Sequence, residues 1–184
     1  MKTPGNQRSL QALVDAHYVS LYRYAYRLSG TSAEAEDLTQ DTFCQAQMKY
    51  HQLRDPDKAR SWLFSIMRNN YLHRLRSSKQ ESTVSLDWME ELPEQSNESL
   101  AEIDSDQLQK ALNQLPEVYR TPIILYYFEE FSYRDIAEQM DLPIGTVMSR
   151  LARARGYLRT HLAPHLSNPL TESHSGRRAN DGLS

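Results

Sequence analysis

Apolar residues in this chain recur at three- and four-residue steps and nowhere in sustained period-two alternation, which admits helices and leaves nothing for a sheet. Leu10, Leu13, Val14, His17, Leu21, Tyr24, Ala25 and Leu28 trace one amphipathic helix that Gly30 ends. Thr31-Ser32-Ala33-Glu34 then has the form of a capping box opening a second helix, with Ala35, Leu38, Thr42, Ala46 and Tyr50 along one side. After a polar interval from Leu53 to Arg60, a third helix is expected to begin near Ser61. It places Trp62, Ile66, Asn69 or Asn70, and His73 on one side, with Leu63, Met67 and Leu72 beside them. Further on, Leu108, Leu112 and Leu115 mark a helix that stops at Pro116, and an apolar helix follows from Val118 to Phe128 with Pro122 as an expected kink. Ser132 and Asp135 form a second capping pair before Ile136, Ala137 and Met140. The turn Asp141 to Gly145 leads into a last helix, from about Ile144 to Leu162, with Val147, Leu151, Ala154 and Leu158 on one side. The fold class expected is all-α.

Charge divides this helical chain into parts. From Glu81 to Asp106 the acids run without one Lys or Arg, whereas Lys49, Arg54, Lys58, Arg60, Arg68, Arg74, Arg76 and Lys79 precede them. Arg150, Arg153, Arg155 and Arg159 then follow in a stretch free of acids. Two helical domains with basic faces joined by an acidic linker is the organisation this implies: residues 8–79, a linker over 80–105, a helix-turn-helix domain over 106–163 and a disordered tail over 164–184. Such a linker reads as a flexible, solvated tether, because like charges at low hydrophobicity cannot support a core. Its alternatives are to screen the basic faces or to occupy a nucleic-acid channel.

Several function classes are set aside by what the sequence lacks. A single cysteine, Cys44, excludes an internal disulfide and a Cys-rich zinc site, and the six His show no HxxxH or HExxH spacing, so no metal or cofactor is expected. There is no Gly-rich phosphate loop and no nucleophile-base spacing, which argues against an enzyme. No apolar run approaches the roughly 20 residues needed to span a bilayer, and the N-terminus lacks a secretory apolar stretch. A cytoplasmic protein with no membrane insertion is the expectation.

The C-terminal pattern of a short capped helix, a tight turn and a longer helix with one apolar and one basic side is that of a helix-turn-helix. Val147, Leu151 and Ala154 anchor the second helix, leaving Thr146, Ser149, Arg150 and Arg153 facing outward. Arg bonds guanine in bidentate fashion, Ser and Thr bond bases or phosphates, and a helix N-terminus favours phosphate.

The run Phe131-Ser132-Tyr133-Arg134-Asp135-Ile136-Ala137, with Leu142-Pro143-Ile144-Gly145-Thr146-Val147-Met148-Ser149-Arg150-Leu151-Ala152-Arg153-Ala154-Arg155, resembles region 4.2 of the extracytoplasmic-function (ECF) sigma factors of the sigma-70 family. Ala35-Glu36-Asp37-Leu38-Thr39-Gln40-Asp41-Thr42-Phe43 resembles their region 2.2, and Ser61 to Tyr71 resembles regions 2.3 and 2.4. The resemblance implies a subunit that binds core RNA polymerase and directs promoter recognition, DNA melting and transcription initiation. It places docking on the clamp helices of the largest polymerase subunit at Asp37, Gln40, Asp41 and Phe43. It assigns the minus-ten element to the loop Leu53 to Arg60 and to Arg60, Arg68, Asn69, Tyr71, Arg74 and Arg76; Trp62 reads as core. Thr146, Ser149, Arg150, Arg153 and Arg155 fall to the minus-thirty-five element. The family's usual restraint, an anti-sigma factor covering both domains, is implied as a further partner. The sequence departs from the pattern at Met148, where many members carry Lys or Arg, and at Gln47, where many carry an aromatic. The competing reading, a ligand-sensing regulator whose helix-turn-helix binds an operator as a dimer, requires a pocket signature or an α/β phosphorylation site that residues 1–80 lack.

Overall fold

The computed structural model describes residues 4–78 and 105–166, and all described regular elements are helical. They are α1 (Pro4–Ser29), α2 (Ser32–Lys49), α3 (Ala59–Ser78), α4 (Ser105–Gln114), α5 (Glu117–Tyr127), α6 (Tyr133–Met140) and α7 (Ile144–Leu166), with 3-10 turns at Tyr50–Gln52 and Pro56–Lys58. The expected acidic linker lies outside the described residues except for Ser105, which opens α4. Of the expected tail, residues 164–166 continue α7 and the rest lies outside.

Local rules set the helix boundaries. Gly30 adopts φ +84°, and its N–H donates to Tyr26 O at 2.7 Å, closing α1 with the left-handed residue that glycine adopts without strain. A Cβ there would also lie 2.5 Å from Asn113 Nδ2 of α4, so a side chain would have to displace that amide as well. Thr31 is the N-cap of α2, its hydroxyl accepting from Glu34 N–H at 3.3 Å. Ser132 and Asp135 make a full reciprocal capping box at α6.

The N-terminal half packs α1 against α2 through small residues. Leu21, Tyr24, Ala25 and Leu28 of α1 and Ala35, Leu38 and Ala46 of α2 are buried, and Thr39 and Thr42 sink their hydroxyls into their own helix by donating to Ala35 O and Leu38 O, each at 2.7 Å. On α3 the buried face differs from the expected one. His73 is exposed and Leu72 half-buried, whereas Phe64 and Tyr71 are buried with Leu63, Ile66, Met67 and Asn70. The reason is that α3 packs against α6 as well as against α1 and α2.

Phe64 joins the two halves. Its ring lies 4.9 Å from that of Tyr24 in α1 and 5.2 Å from that of Phe131, just before α6. One apolar core runs through both halves, from Leu21 and Leu28 to Leu112, Ile123, Leu151 and Leu158. Polar bonds reinforce the seam. Arg120 of α5 donates to Leu28 O at 2.7 Å and to Leu115 O at 2.9 Å, so one guanidinium satisfies terminal carbonyls of α1 and α4 together. Gln109 of α4 donates to Arg27 O at 3.2 Å, and Arg27 lies 3.6 Å over the ring of Phe128.

Because Phe64 is fully buried between two halves, Phe64→Ala should cost about 3–5 kcal/mol of stability. Met48→Ala, at a position 68% exposed, should stay within about 0.5 kcal/mol. Urea unfolding of the two variants checks this, and equal effects would contradict the packing described.

Candidate nucleic-acid and protein interfaces

Three surfaces carry the residues singled out by sequence. On α2, Asp37, Gln40 and Asp41 are exposed at the three- and four-residue spacing that puts them in one row. Phe43 is half-buried, and its ring stacks toward Tyr18 of α1 at 6.4 Å, with Tyr22 a further 6.4 Å along. Tyr18 and Val19 are exposed, so the acidic row borders an aromatic ladder that the sequence reading missed, because its members come from two helices. Asp41 is ion-paired with Arg74 of α3, which ties one docking candidate to one minus-ten candidate.

The second surface is α3 with the loop before it, and here the structure divides the sequence-predicted set. Asn69 and Arg76 are exposed, and Arg74 is half-buried beside Asp41. Asn70, the other amide considered, is buried and accepts from Gln45 Nε2 at 2.6 Å, so Asn69 is the outward one. Trp62 packs half-buried on the core, in line with its reading as a core residue. Arg68 and Tyr71 are not on an open face, and Arg60, its side chain 38% exposed, is engaged by the chain itself. Arg60 donates to Glu129 O at 2.7 Å and to the Glu129 carboxylate at 3.2 Å, and it lies 5.0 Å and 4.6 Å from the ring centroids of Phe64 and Phe131. Arg68 faces Glu117 of α5 at 3.7 Å. Tyr71 is only 8% exposed and accepts from Arg120 at 3.3 Å, so in this arrangement it cannot stack on a base. Beside them an open groove of about 720 Å³ separates Arg54, Lys58 and Arg60 from Glu130, Asp135 and Glu138.

The third surface is α7. Asp141 takes the left-handed conformation at φ 53°, and Leu142 N–H donates to Ala137 O at 3.0 Å, setting the turn between α6 and α7. Val147, Leu151, Ala154 and Leu158 are buried, as their spacing implied. Ser149 and Arg153 are exposed, and Thr146 and Arg150 half-buried. At about 100° per residue these four share one flank, while Met148, 51% exposed, lies away from them. Arg155 falls on the opposite flank, where its charge acts on Tyr133, which stacks on Tyr126 at 4.9 Å. Thus α7 brings together four of the five predicted residues and sets Arg155 apart.

Among the described residues there is no cluster of His, Cys, Asp and Glu fit to hold a metal ion, and no helix long and apolar enough to cross a membrane. The family model for sigma-70 region 2 matches residues 13–81, and that for sigma-70 region 4 matches residues 105–158. The chain is 32% identical to the ECF RNA polymerase sigma factor SigW of Bacillus subtilis, over 86% of this chain and 91% of that one. The chain belongs to the ECF RNA polymerase sigma factors. SigL of Mycobacterium tuberculosis is 36% identical over 83% of this sigma factor and 88% of its own length. SigE of Mycolicibacterium smegmatis is 35% identical, but this sigma factor spans only 63% of it. Among solved structures, RpoE from Bartonella quintana, in complex with the anti-sigma factor NepR, matches with a TM-score of 0.66 at 30% identity, over 88% of this chain and 98% of that one. CnrH, in complex with the cytosolic domain of CnrY, matches at 0.62 and 25% identity, over 87% and 91%. In these terms α1–α3 of the sigma factor are region 2 and α4–α7 are region 4.

Glu129 is the least comfortable charge between the regions. Burial raises its carboxyl from 4.5 to about 7, outweighing the opposing pull of Arg60, Arg27 and Arg23, all from region 2. The folded sigma factor therefore holds a proton that the unfolded chain releases between pH 4.5 and about 7. The stability contributed is complete below the lower value and lost as pH rises through the upper one. Glu129→Gln cannot titrate, so its melting temperature should gain on the native protein's as pH rises from about 5 to about 8. A gap that does not change with pH would contradict the assignment.

Proposed function

We propose that this sigma factor binds core RNA polymerase through the α2 row, reads the minus-thirty-five element as duplex with α7, and melts and reads the minus-ten element with α3 and its preceding loop. Residues 8–79 and 106–163 are the two functional domains in this reading, with the acidic segment joining them. The α2 row of Asp37, Gln40 and Asp41 beside Phe43 suits a partner helix: acids and an amide for its polar flank, and an aromatic anchor for its apolar one. Arg74, Arg76 and Asn69 supply cations for phosphates and an amide for a base edge on melted DNA. The protein contributes no covalent chemistry of its own and works in the cytoplasm. An anti-sigma factor restrains it, as supported by two relatives of similar structure, RpoE with NepR and CnrH with CnrY.

The observation that carries the reading is α7: an apolar flank buried to Leu158 and an opposite flank bearing Ser149, Arg150 and Arg153, with no acid from Leu142 to Leu162 to neutralise it. In this reading Arg153, exposed beside Ser149, reads bases, and Arg150, half-buried, holds the backbone. Run-off transcription with purified core enzyme and a library of randomised minus-thirty-five elements tests this. Arg153→Ala should change the preferred bases at a cost of about 1–3 kcal/mol, while Arg150→Ala should lower transcription evenly over all sequences. An unchanged preference profile for Arg153→Ala would sink the base-reading role, and no transcription by the native protein would sink the function.

A further inference from the structure

Helical rotation splits the outward side of α7 into two shoulders. Val147, Leu151, Ala154 and Leu158 form the buried flank, and at about 100° per residue Ser149 stands diametrically opposite it. Thr146, Arg150 and Arg153 lie to one side of Ser149, each within about 100°. On the other side, within about 140°, come Gly145, Ala152, Met148 and Ile144. Arg155 shares that side, where its charge acts on Tyr133.

The second shoulder is apolar and open. Met148 is 51% exposed and Ile144 45%, one helical turn apart. Gly145 and Ala152, one turn before Met148 and one after, are too small to shield it, and a Cβ on Gly145 would meet nothing within 4 Å. A lone exposed apolar residue needs no explanation, but this pair stands on the first two turns of a helix whose adjoining shoulder carries Ser149, Arg150 and Arg153. No acid occurs from Leu142 to Leu162, so whatever covers Met148 must also accept two guanidinium groups. Duplex DNA meets both demands. A helix about 10–12 Å across fills a major groove about 12 Å wide, so both shoulders come against its sides. Ile144, Gly145, Met148 and Ala152 offer no strong side-chain donor or acceptor. Pressed against the edges of guanine, cytosine or adenine, they would strip water from polar atoms and return no hydrogen bond. The apolar feature of the groove is the C5-methyl of thymine, and Met148, long and unbranched with a polarisable sulfur, can follow it.

We propose that Met148 is a specificity-determining residue that reads the methyl group of a thymine in the minus-thirty-five element, with Ile144 and Ala152 lining the same shoulder. α7 then reads by apolar contact on one side of Ser149 and by hydrogen bonds on the other. This rests on the assignment of α7 to that element. Met148 and Arg153, five positions and about 140° apart, meet different base pairs.

Transcription by limiting holoenzyme, assembled from core RNA polymerase and the full-length protein, tests this on a library of randomised minus-thirty-five elements. The preferred element is then remade with uracil in place of each thymine in turn, which keeps the base pair and removes only the methyl group. The native protein should favour thymine at one position and lose about fourfold in transcription when that thymine becomes uracil, the worth of one buried methyl group. Met148→Ala should transcribe thymine and uracil equally there, and Met148→Leu should retain the discrimination. Met148→Arg should move the preference to guanine, which Arg bonds in bidentate fashion. All three changes fall on an exposed side chain, and circular dichroism verifies that each variant is folded. Uracil transcribed as well as thymine at every position by the native protein would overturn the inference. So would a base profile unchanged in both Met148→Ala and Met148→Arg, which would leave the shoulder to a protein partner. Arg153→Ala separates this from the underlying assignment. A profile altered by Arg153→Ala but by neither Met148 variant keeps α7 as the reader and sinks Met148 alone, whereas one altered by none of them sinks both.

Discussion

Arg120 ties the two halves of the sigma factor together where two helices end. Its guanidinium donates to Leu28 O of α1, to Leu115 O and Asn113 O after and within α4, and to the phenol of Tyr71 on α3. Terminal carbonyls are groups a helix cannot satisfy by itself, and leaving them buried without donors would cost about 1–3 kcal/mol each. One residue of region 4 thus satisfies a terminal carbonyl of region 2. Gly30 follows from the same approach: beyond needing its left-handed backbone, the chain has no room there for a side chain against Asn113. Phe64 and Phe131 then close the apolar part of the seam that these bonds frame.

From that seam follows the separation of functions on the surface. The α7 flank and the α2 row are exposed on the closed body, which in the proposed function offers duplex DNA and a polymerase helix surfaces already formed. The α3 face is different: half of its candidate contacts are folded into the seam. In that proposal docking comes before strand capture. Ion pairing fits this order. Asp41 with Arg74 is an exposed pair that costs little to exchange, whereas Arg60 with Glu129 is sheltered by two rings.

Much of the fold was legible because it obeys local rules. Gly30, Thr31, the Ser132 and Asp135 box and the buried flank of α7 each depend on residues within four positions of one another, and each stands where sequence put it. The all-α class and the family also follow from such short-range patterns. What was not legible depends on distance along the chain. Arg60 and Glu129 are 69 residues apart, and Arg120 and Leu28 are 92 apart, so no periodicity in either segment announces the pairing. For the same reason Phe64 and Tyr71 were left out of the expected core: Phe131 and Arg120 of region 4 complete a burial that for Phe64 begins at Tyr24 of α1. Arg155 was grouped with Arg150 and Arg153 through the family resemblance, and only helical rotation separates them.

The seam closes the chain on itself, whereas the proposed function draws its two halves apart on polymerase and promoter, so an interdomain distance tests the account most directly. Spin labels at Ala16→Cys in α1 and Arg134→Cys in α6, both exposed positions, can be introduced with Cys44→Ser to remove the native thiol. Pulsed dipolar spectroscopy of the free protein should give one narrow distance, and addition of core RNA polymerase with promoter DNA should replace it with a longer one. A broad distribution in the free protein, or a narrow distance unmoved by polymerase and promoter, would contradict the account.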